Sequence, residues 1–231
     1  MCGRFTLTNP NPRRLASRFD LDGSFEIDDR PRFNIAPTDP VIAIRRSESV
    51  AGNEAGVLRW GLVPGVWAEG KGQRPLINAR AETVATQPAF RDSFEQRRCL
   101  IPADGFYEWR EDPEGKRPVW FSRPGEPGSA LFAFAGIWAR LERGDAEPLT
   151  SCALITCEPN DLVRPVHDRM PVVLDPAVEA AWIDPEAAVD DLLELLRPAP
   201  EDALQARDVG DAVNDNRADG PHLLEPPLKL F

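Results

Sequence analysis

The residue with the most chemistry available to it is Cys2, because Met1 precedes it and a small second residue directs removal of the initiator methionine. The mature chain then begins with a cysteine. Its α-amine, with a reference pKa of roughly 7.7–8.0, and its thiol, at about 8.5, are both partly nucleophilic at neutral pH. An aldehyde can condense with the amine to an imine, and the thiol can close on the imine carbon to give a five-membered thiazolidine. No internal cysteine or lysine can do both. Position alone favours Cys2 as an ordinary second codon, since many chains begin this way.

Three other residues could serve such chemistry. Glu108 lies in the aromatic run Phe106-Tyr107-Glu108-Trp109. Burial there would raise its carboxyl pKa into the range of a proton acceptor. Alone, it reads equally as an outward glutamate on a strand. His167 is one of only two histidines and titrates near neutrality; it could move protons during ring opening and imine formation, or simply bond a backbone carbonyl. His222, near the tail, is read as structural. Asn78 both donates and accepts through one amide, for a sugar hydroxyl or the terminal amine, or it is a turn residue at a strand end.

The elements that must position these residues are short. Residues 3–8 alternate apolar and polar and predict a strand. Asn11 and Pro12 form a helix-start signal, with Leu15 and Phe19 on the buried face. Residues 20–31 are acidic and irregular. Arg32 to Pro40 is extended, and residues 41–44 and 57–60 predict a hairpin. Further strands are expected at 76–80, 99–102, 105–110, 119–122, 131–138 and 152–156. Helices are expected from Ala81 onward and over 177–197, and a charged turn over 111–117. The fold class is therefore α+β, a single domain over 1–231 with a curved, mainly antiparallel, barrel-like sheet and flanking short helices.

Composition sets outer limits. The chain has 231 residues, 42% of them hydrophobic, with 24 prolines and 16 glycines, which suits a core of short elements rather than a helical bundle. No apolar run reaches bilayer length and no signal-peptide pattern opens the chain, so a cytoplasmic, nucleoid-associated protein is expected. The four cysteines, Cys2, Cys99, Cys152 and Cys157, contain no C-x-x-C pair. Neither metal nor cofactor is expected, and the thiols should be reduced. The net charge of −11 argues against general nucleic-acid affinity. Only three of the 27 basic residues are lysine, however, so any phosphate contact falls to arginine, whose planar fork matches phosphate oxygens.

Met1-Cys2-Gly3-Arg4-Phe5, Phe33-Asn34-Ile35-Ala36-Pro37, Trp60-Gly61-Leu62-Val63-Pro64, Ile77-Asn78-Ala79-Arg80-Ala81-Glu82-Thr83, Pro102-Ala103-Asp104-Gly105-Phe106-Tyr107-Glu108-Trp109, His167-Asp168-Arg169-Met170-Pro171 and Asp219-Gly220-Pro221 follow in that order. This series resembles the SRAP (SOS-response-associated peptidase) family across nearly the whole chain. The resemblance implies a covalent thiazolidine crosslink between Cys2 and an abasic site in single-stranded DNA, made by a monomer. It implies Cys2, Asn78, Glu108 and His167 as the reacting set. Arg4, Arg80 and Arg169 become the phosphate-binding set. Trp67 is the candidate for base stacking and Pro37 for a rigid wedge beside the lesion, while Trp60 is expected to pack inside. The chain departs from some relatives at Met170, where a second arginine can stand. Three other readings remain. One is a cysteine hydrolase or peptidase using Cys2 and His167, with Glu108 or Asn78 as orienter. The others are a non-covalent single-strand-binding module and a scaffold domain.

Overall fold

The computed structural model describes residues 2–21, 27–47, 52–64, 74–113 and 115–227. Five strands, β1 (Arg4–Leu7), β2 (Arg32–Ile35), β7 (Gly105–Asp112), β8 (Gly115–Ser122) and β13 (Gln205–Asp208), make an antiparallel sheet in the order β13-β8-β7-β1-β2. Strands β3 (Pro40–Arg46), β4 (Asn53–Trp60), β6 (Arg98–Ala103), β9 (Phe132–Arg143) and β10 (Ala146–Cys157) close into a barrel. Its one parallel seam joins β10 to β4 through Ser151↔Arg59 and Cys152↔Trp60. β5 (Asn78–Arg80) also lies parallel on β10. The short β11 (Met170–Pro171) and β12 (Val173–Leu174) extend the same sheet.

The sheet and the barrel share an apolar core, and β1 is the strand that joins them. Phe5 packs edge-on against Trp60 of β4, with ring centroids 5.1 Å apart, and against Phe134 of β9 at 5.7 Å. Such pairs add to the burial of their area. The other side of β1 is fixed by a polar network. Asp104, 1% exposed, accepts from the Thr6 hydroxyl at 2.6 Å and from the Thr8 N–H at 2.6 Å. Gly105 follows because nothing larger fits: a Cβ there would sit 2.2 Å from the Trp120 indole.

The helices are shorter than periodicity predicts. α1 (Pro12–Phe19) is as expected, with the Asn11 side chain accepting from Arg13 and Arg14 N–H groups and with Leu15 and Phe19 buried. Residues 81–90 form turns, and only α2 (Arg91–Gln96) is helical. Pro88 has no N–H to give. The expected helix over 177–197 is two pieces, α3 (Glu179–Trp182) and α4 (Val189–Glu194). Pro185 interrupts it, and Asp184 turns the chain by accepting from the Glu186 N–H at 3.0 Å. The expected turn over 111–117 is mostly strand. β7 and β8 run on to Asp112↔Gly115, and their charges pair at a solvent-facing tip, with Arg117 3.3 Å from Asp112. No helix among the described residues is long and apolar enough to cross a membrane.

Arg98, 4% exposed, ties the helices to the barrel. Its guanidinium donates to the carbonyls of Phe94 at 2.7 Å and Trp182 at 2.8 Å, and to those of Glu95 and Asp184. Those of Phe94, Glu95 and Trp182 are carbonyls at helix ends with no partner inside their own helix, while the Asp184 carbonyl also accepts from the Ala187 N–H at 3.2 Å. Arg98→Met fills the volume but leaves the first three unpaired. It is expected to destabilise folding by at least about 3 kcal/mol, which urea unfolding measures directly.

Candidate active site

Cys2 lies just before β1 and is fully buried. Its Sγ stands 3.8 Å from the Arg4 carbonyl. Asn78 opens β5, whose pairing with Leu154 of β10 brings it alongside. The Asn78 Nδ2 donates to the Cys2 carbonyl at 2.8 Å, so the backbone at Cys2 is held in place. The Asn78 Oδ1 is buried and takes no hydrogen bond among the described residues. Trp60 contributes indirectly. It is fully buried, and its Nε1 donates to the Ile77 carbonyl at 2.9 Å, which anchors the segment leading to Asn78.

Glu108 sits on β7, 1% exposed, with its Oε2 3.9 Å from His167 Nε2. Burial pushes its carboxyl up to about 7; the positive amino terminus pulls it back and Asp168 pushes it further. His167 ends a turn in which its N–H bonds the Val163 carbonyl at 3.0 Å. Its Nδ1 accepts from the Arg169 N–H at 2.9 Å. An Asp168 oxygen also lies 2.9 Å from Nδ1, but Nδ1 cannot donate to it while accepting from a backbone N–H. Nε2 faces Glu108. Burial lowers the His167 pKa, while Asp168 raises it. Burial raises the Cys2 thiol well above its ordinary value, and the Glu108 carboxylate adds to that. Residues 2, 78, 108 and 167 are thereby brought together: a buried thiol, an amide at its carbonyl, and a buried carboxyl facing an imidazole. An open groove of about 490 Å³ reaches His167 past Glu111, Glu158, Arg164 and Asp168.

The three arginines are held differently. Arg80 is at the exposed end of β5, and its guanidinium makes no hydrogen bond or ion pair among the described residues. Arg169 is bidentate on Glu82, at 2.6 and 2.9 Å, and also donates to the Thr156 carbonyl at 2.6 Å. Arg4 donates to the Asn34 Oδ1 at 2.8 Å and the Val213 carbonyl at 2.7 Å. Pro37 is half-buried, in a tight turn closed by the Asp39 N–H on the Ala36 carbonyl at 3.1 Å. The next residue, Thr38, has φ 79°, which is unusual for a β-branched residue. Its N–H, held by the Trp60 carbonyl at 2.7 Å, keeps the turn in that form. Trp67 lies outside the described residues. No group of three or more His, Cys, Asp or Glu placed to hold a metal ion occurs among the described residues, and all four cysteines are free and buried.

Two residues that position the site went unremarked in the motifs. Asp104 holds β1, and Asn34 meets Arg4. Both are polar residues at inward strand or strand-end positions, and an Asn between Phe33 and Ile35 is itself a sign of a buried polar anchor.

Comparison with known proteins follows the same span. Residues 1–216 match the family model SOS response associated peptidase (SRAP). The abasic site processing protein YoqW of Bacillus subtilis is 39% identical over 228 residues, covering 97% of this chain and 99% of that one. The Escherichia coli abasic site processing protein YedK is 29% identical, over 98% of this chain and 100% of its own. Gallus gallus abasic site processing protein HMCES is 32% identical, over 85% of this chain and 66% of its own. Among solved structures, a Bacteroides thetaiotaomicron protein superposes with a TM-score of 0.82 at 23% identity, over 98% of this chain and 100% of that one.

Proposed function

This chain belongs to the SOS response associated peptidase (SRAP) family, and from that premise we propose that its mature form captures abasic sites in single-stranded DNA as a thiazolidine on Cys2. The observation that carries the proposal is the placement of a buried Cys2 beside a carboxyl with a pKa of about 7. Met1 must leave first, through an aminopeptidase or through the site's own residues. The freed α-amine then attacks the aldehyde of the ring-opened deoxyribose. Glu108 takes a proton from the amine and returns it to the carbinolamine oxygen, which departs as water, with the His167 imidazole facing that carboxyl. The thiol adds to the imine carbon as its proton passes to nitrogen, closing the ring. One water is released and nothing is oxidised.

The burial that raises the thiol pKa suits this order, in which the amine acts first. It suits a hydrolase poorly, because a resting thiolate is then disfavoured. His167 Nε2 faces a carboxylate. No step needs a second copy, so the monomer is the working unit, and single-stranded DNA of the nucleoid is its substrate. Incubation with an abasic single-stranded oligonucleotide, followed by heating in SDS, tests the reading. A shifted band one protein in mass supports it. A mature protein, shown by mass spectrometry to lack Met1, that gives no band overturns it. Peptide turnover without an adduct would support the hydrolase instead.

Glu82 gives a further check. It neutralises Arg169, and Glu82→Gln releases that charge for phosphate. Non-covalent binding to abasic single strands should tighten by about fivefold at low salt, and the log–log salt dependence should steepen by about 0.7, the value of one single-strand phosphate contact. Fluorescence anisotropy with a Cys2→Ala background reads both. An unchanged salt slope would remove Arg169 from the phosphate-binding set.

A further inference from the structure

Arg4 lies two residues from Cys2, a reach of about 7 Å along extended chain, close enough to serve the phosphate next to a captured sugar. Its side-chain partners are both neutral, the Asn34 Oδ1 at 2.8 Å and the Val213 carbonyl at 2.7 Å. The nearby acids are occupied elsewhere: Asp39 takes Arg32 at 2.7 Å, and Asp215 takes Arg217 at 3.1 Å. Arg4 is thus oriented without being neutralised, unlike Arg169 with its carboxylate. Its remaining N–H groups take no partner among the described residues.

Asn34 makes this arrangement. It is 3% exposed and sits on β2, next to Ile35, which pairs with Phe5 of β1. While its Oδ1 accepts from Arg4, its Nδ2 points to three carbonyls of the C-terminal segment: Ala218 at 2.9 Å, Asp215 at 3.0 Å and Val213 at 3.3 Å. The segment is latched at two further points, by the Phe33 N–H on Asp219 at 2.6 Å and by Trp109 Nε1 on Asn214 at 2.7 Å. Asn34 therefore fixes the strap of residues 211–219 and, through it, the Val213 carbonyl that completes the Arg4 cradle. A carboxylate at position 34 would face three carbonyl oxygens and cancel the Arg4 charge. An apolar residue would leave the carbonyls and the guanidinium unpaired. An amide alone supplies both faces.

We propose that Asn34 is a positioning residue for abasic-site capture, clamping the C-terminal strap so that Arg4 is held, with its charge intact, towards the phosphate beside the lesion. The proposal rests on the reading of this site as an abasic-site crosslinker. The test is single-turnover crosslinking to an abasic single-stranded oligonucleotide over a range of DNA concentrations and salt. Asn34→Ala should raise the half-saturating DNA concentration about tenfold, keep the maximal rate within about twofold, and lower the log–log salt slope by about 0.7. Arg4→Gln should do the same, and Asn34→Ala should then add less than about threefold to it, because the two act as one unit. Asn214→Ala removes one of the other latches but leaves Asn34 holding the strap at Val213, Asp215 and Ala218, so it should shift half-saturation by less than about twofold.

A lowered maximal rate with unchanged half-saturation would overturn the proposal. So would full additivity with Arg4→Gln, or an equal shift from Asn214→Ala. If Asn34→Ala does not fold, Arg4→Gln still decides, since wild-type half-saturation and salt slope in that variant would overturn the proposal. Absence of any adduct with the wild-type protein is a separate outcome, which fails the abasic-site reading itself.

Discussion

Cys2→Ala is expected to lose the heat- and SDS-stable adduct with abasic single-stranded DNA by about 10³-fold or more, because the alanine amine can form only a hydrolysable imine. The ring closure is intramolecular, and a well-placed second nucleophile of this kind is worth a very high effective concentration. Non-covalent binding should change little, since Arg4, Arg80 and Arg169 keep their places. Cys2→Ser separates the two steps. It retains the amine, so borohydride should trap its imine, while no lasting ring forms without reduction. A permanent N-terminal extension should abolish both products, because it removes the free amine and leaves the thiol. A stable adduct from the extended protein would refute the thiazolidine. A stable adduct from Cys2→Ala would move the chemistry to another residue. The burial of Cys2 adds an expectation about persistence. A ring formed at a fully enclosed position is shielded from bulk water, so the wild-type adduct should outlast a model thiazolidine of free cysteine.

Glu108→Gln should slow crosslinking by about 10²–10³-fold, the usual contribution of a positioned proton acceptor, and stabilise the fold above neutral pH. The two effects have one cause. The buried carboxyl titrates at about 7 in the folded protein, against about 4.3 in an unfolded chain. The folded state therefore holds the proton more tightly. The contribution of this carboxyl to stability is greatest below about pH 4.3 and is lost as the pH rises from there through 7. At pH 8 the charged carboxylate costs on the order of 3–4 kcal/mol, which glutamine avoids at nearly the same volume. Wild-type crosslinking should accordingly rise with pH through about 7, where Glu108 becomes a base, and the variant should lack that rise. Urea unfolding at pH 5 and pH 8 checks the second half: the gain of the variant must grow between the two. Equal gains at both would mean that Glu108 does not titrate in this range, and its assignment as the proton acceptor would fall with it.

Local rules carried the reading furthest where a single segment decides its own structure. The Asn11-Pro12 start, the Leu15 and Phe19 face, and the strands at 99–102 and 105–110 need only capping and short apolar runs. Helix length over 81–96 and 177–197 needed more weight on single residues, because Pro88 and Pro185 outrank the helical tendency around them. The tail was the least legible part. Residues 205–208 become an edge strand on β8, and 211–219 becomes the strap, through bonds to Arg4, Asn34 and Trp109 that no local pattern announces.

By itself the sequence determined the reagent: a cysteine behind a removable methionine, with its amine and thiol on adjacent carbons, is set by covalent connectivity. It also determined the inventory of one amide, one carboxylate, one imidazole and three arginines in recognisable motifs. Tertiary structure alone decided their states. Glu108 becomes a base near neutrality because β7 buries it. His167 presents its Nε2 to Glu108 because the Arg169 N–H takes Nδ1. Arg169 is neutralised by Glu82, while Arg4 keeps its charge between neutral acceptors. Solvation and the sign of the nearest partner set these properties, and both depend on residues as distant in the chain as 4 and 213.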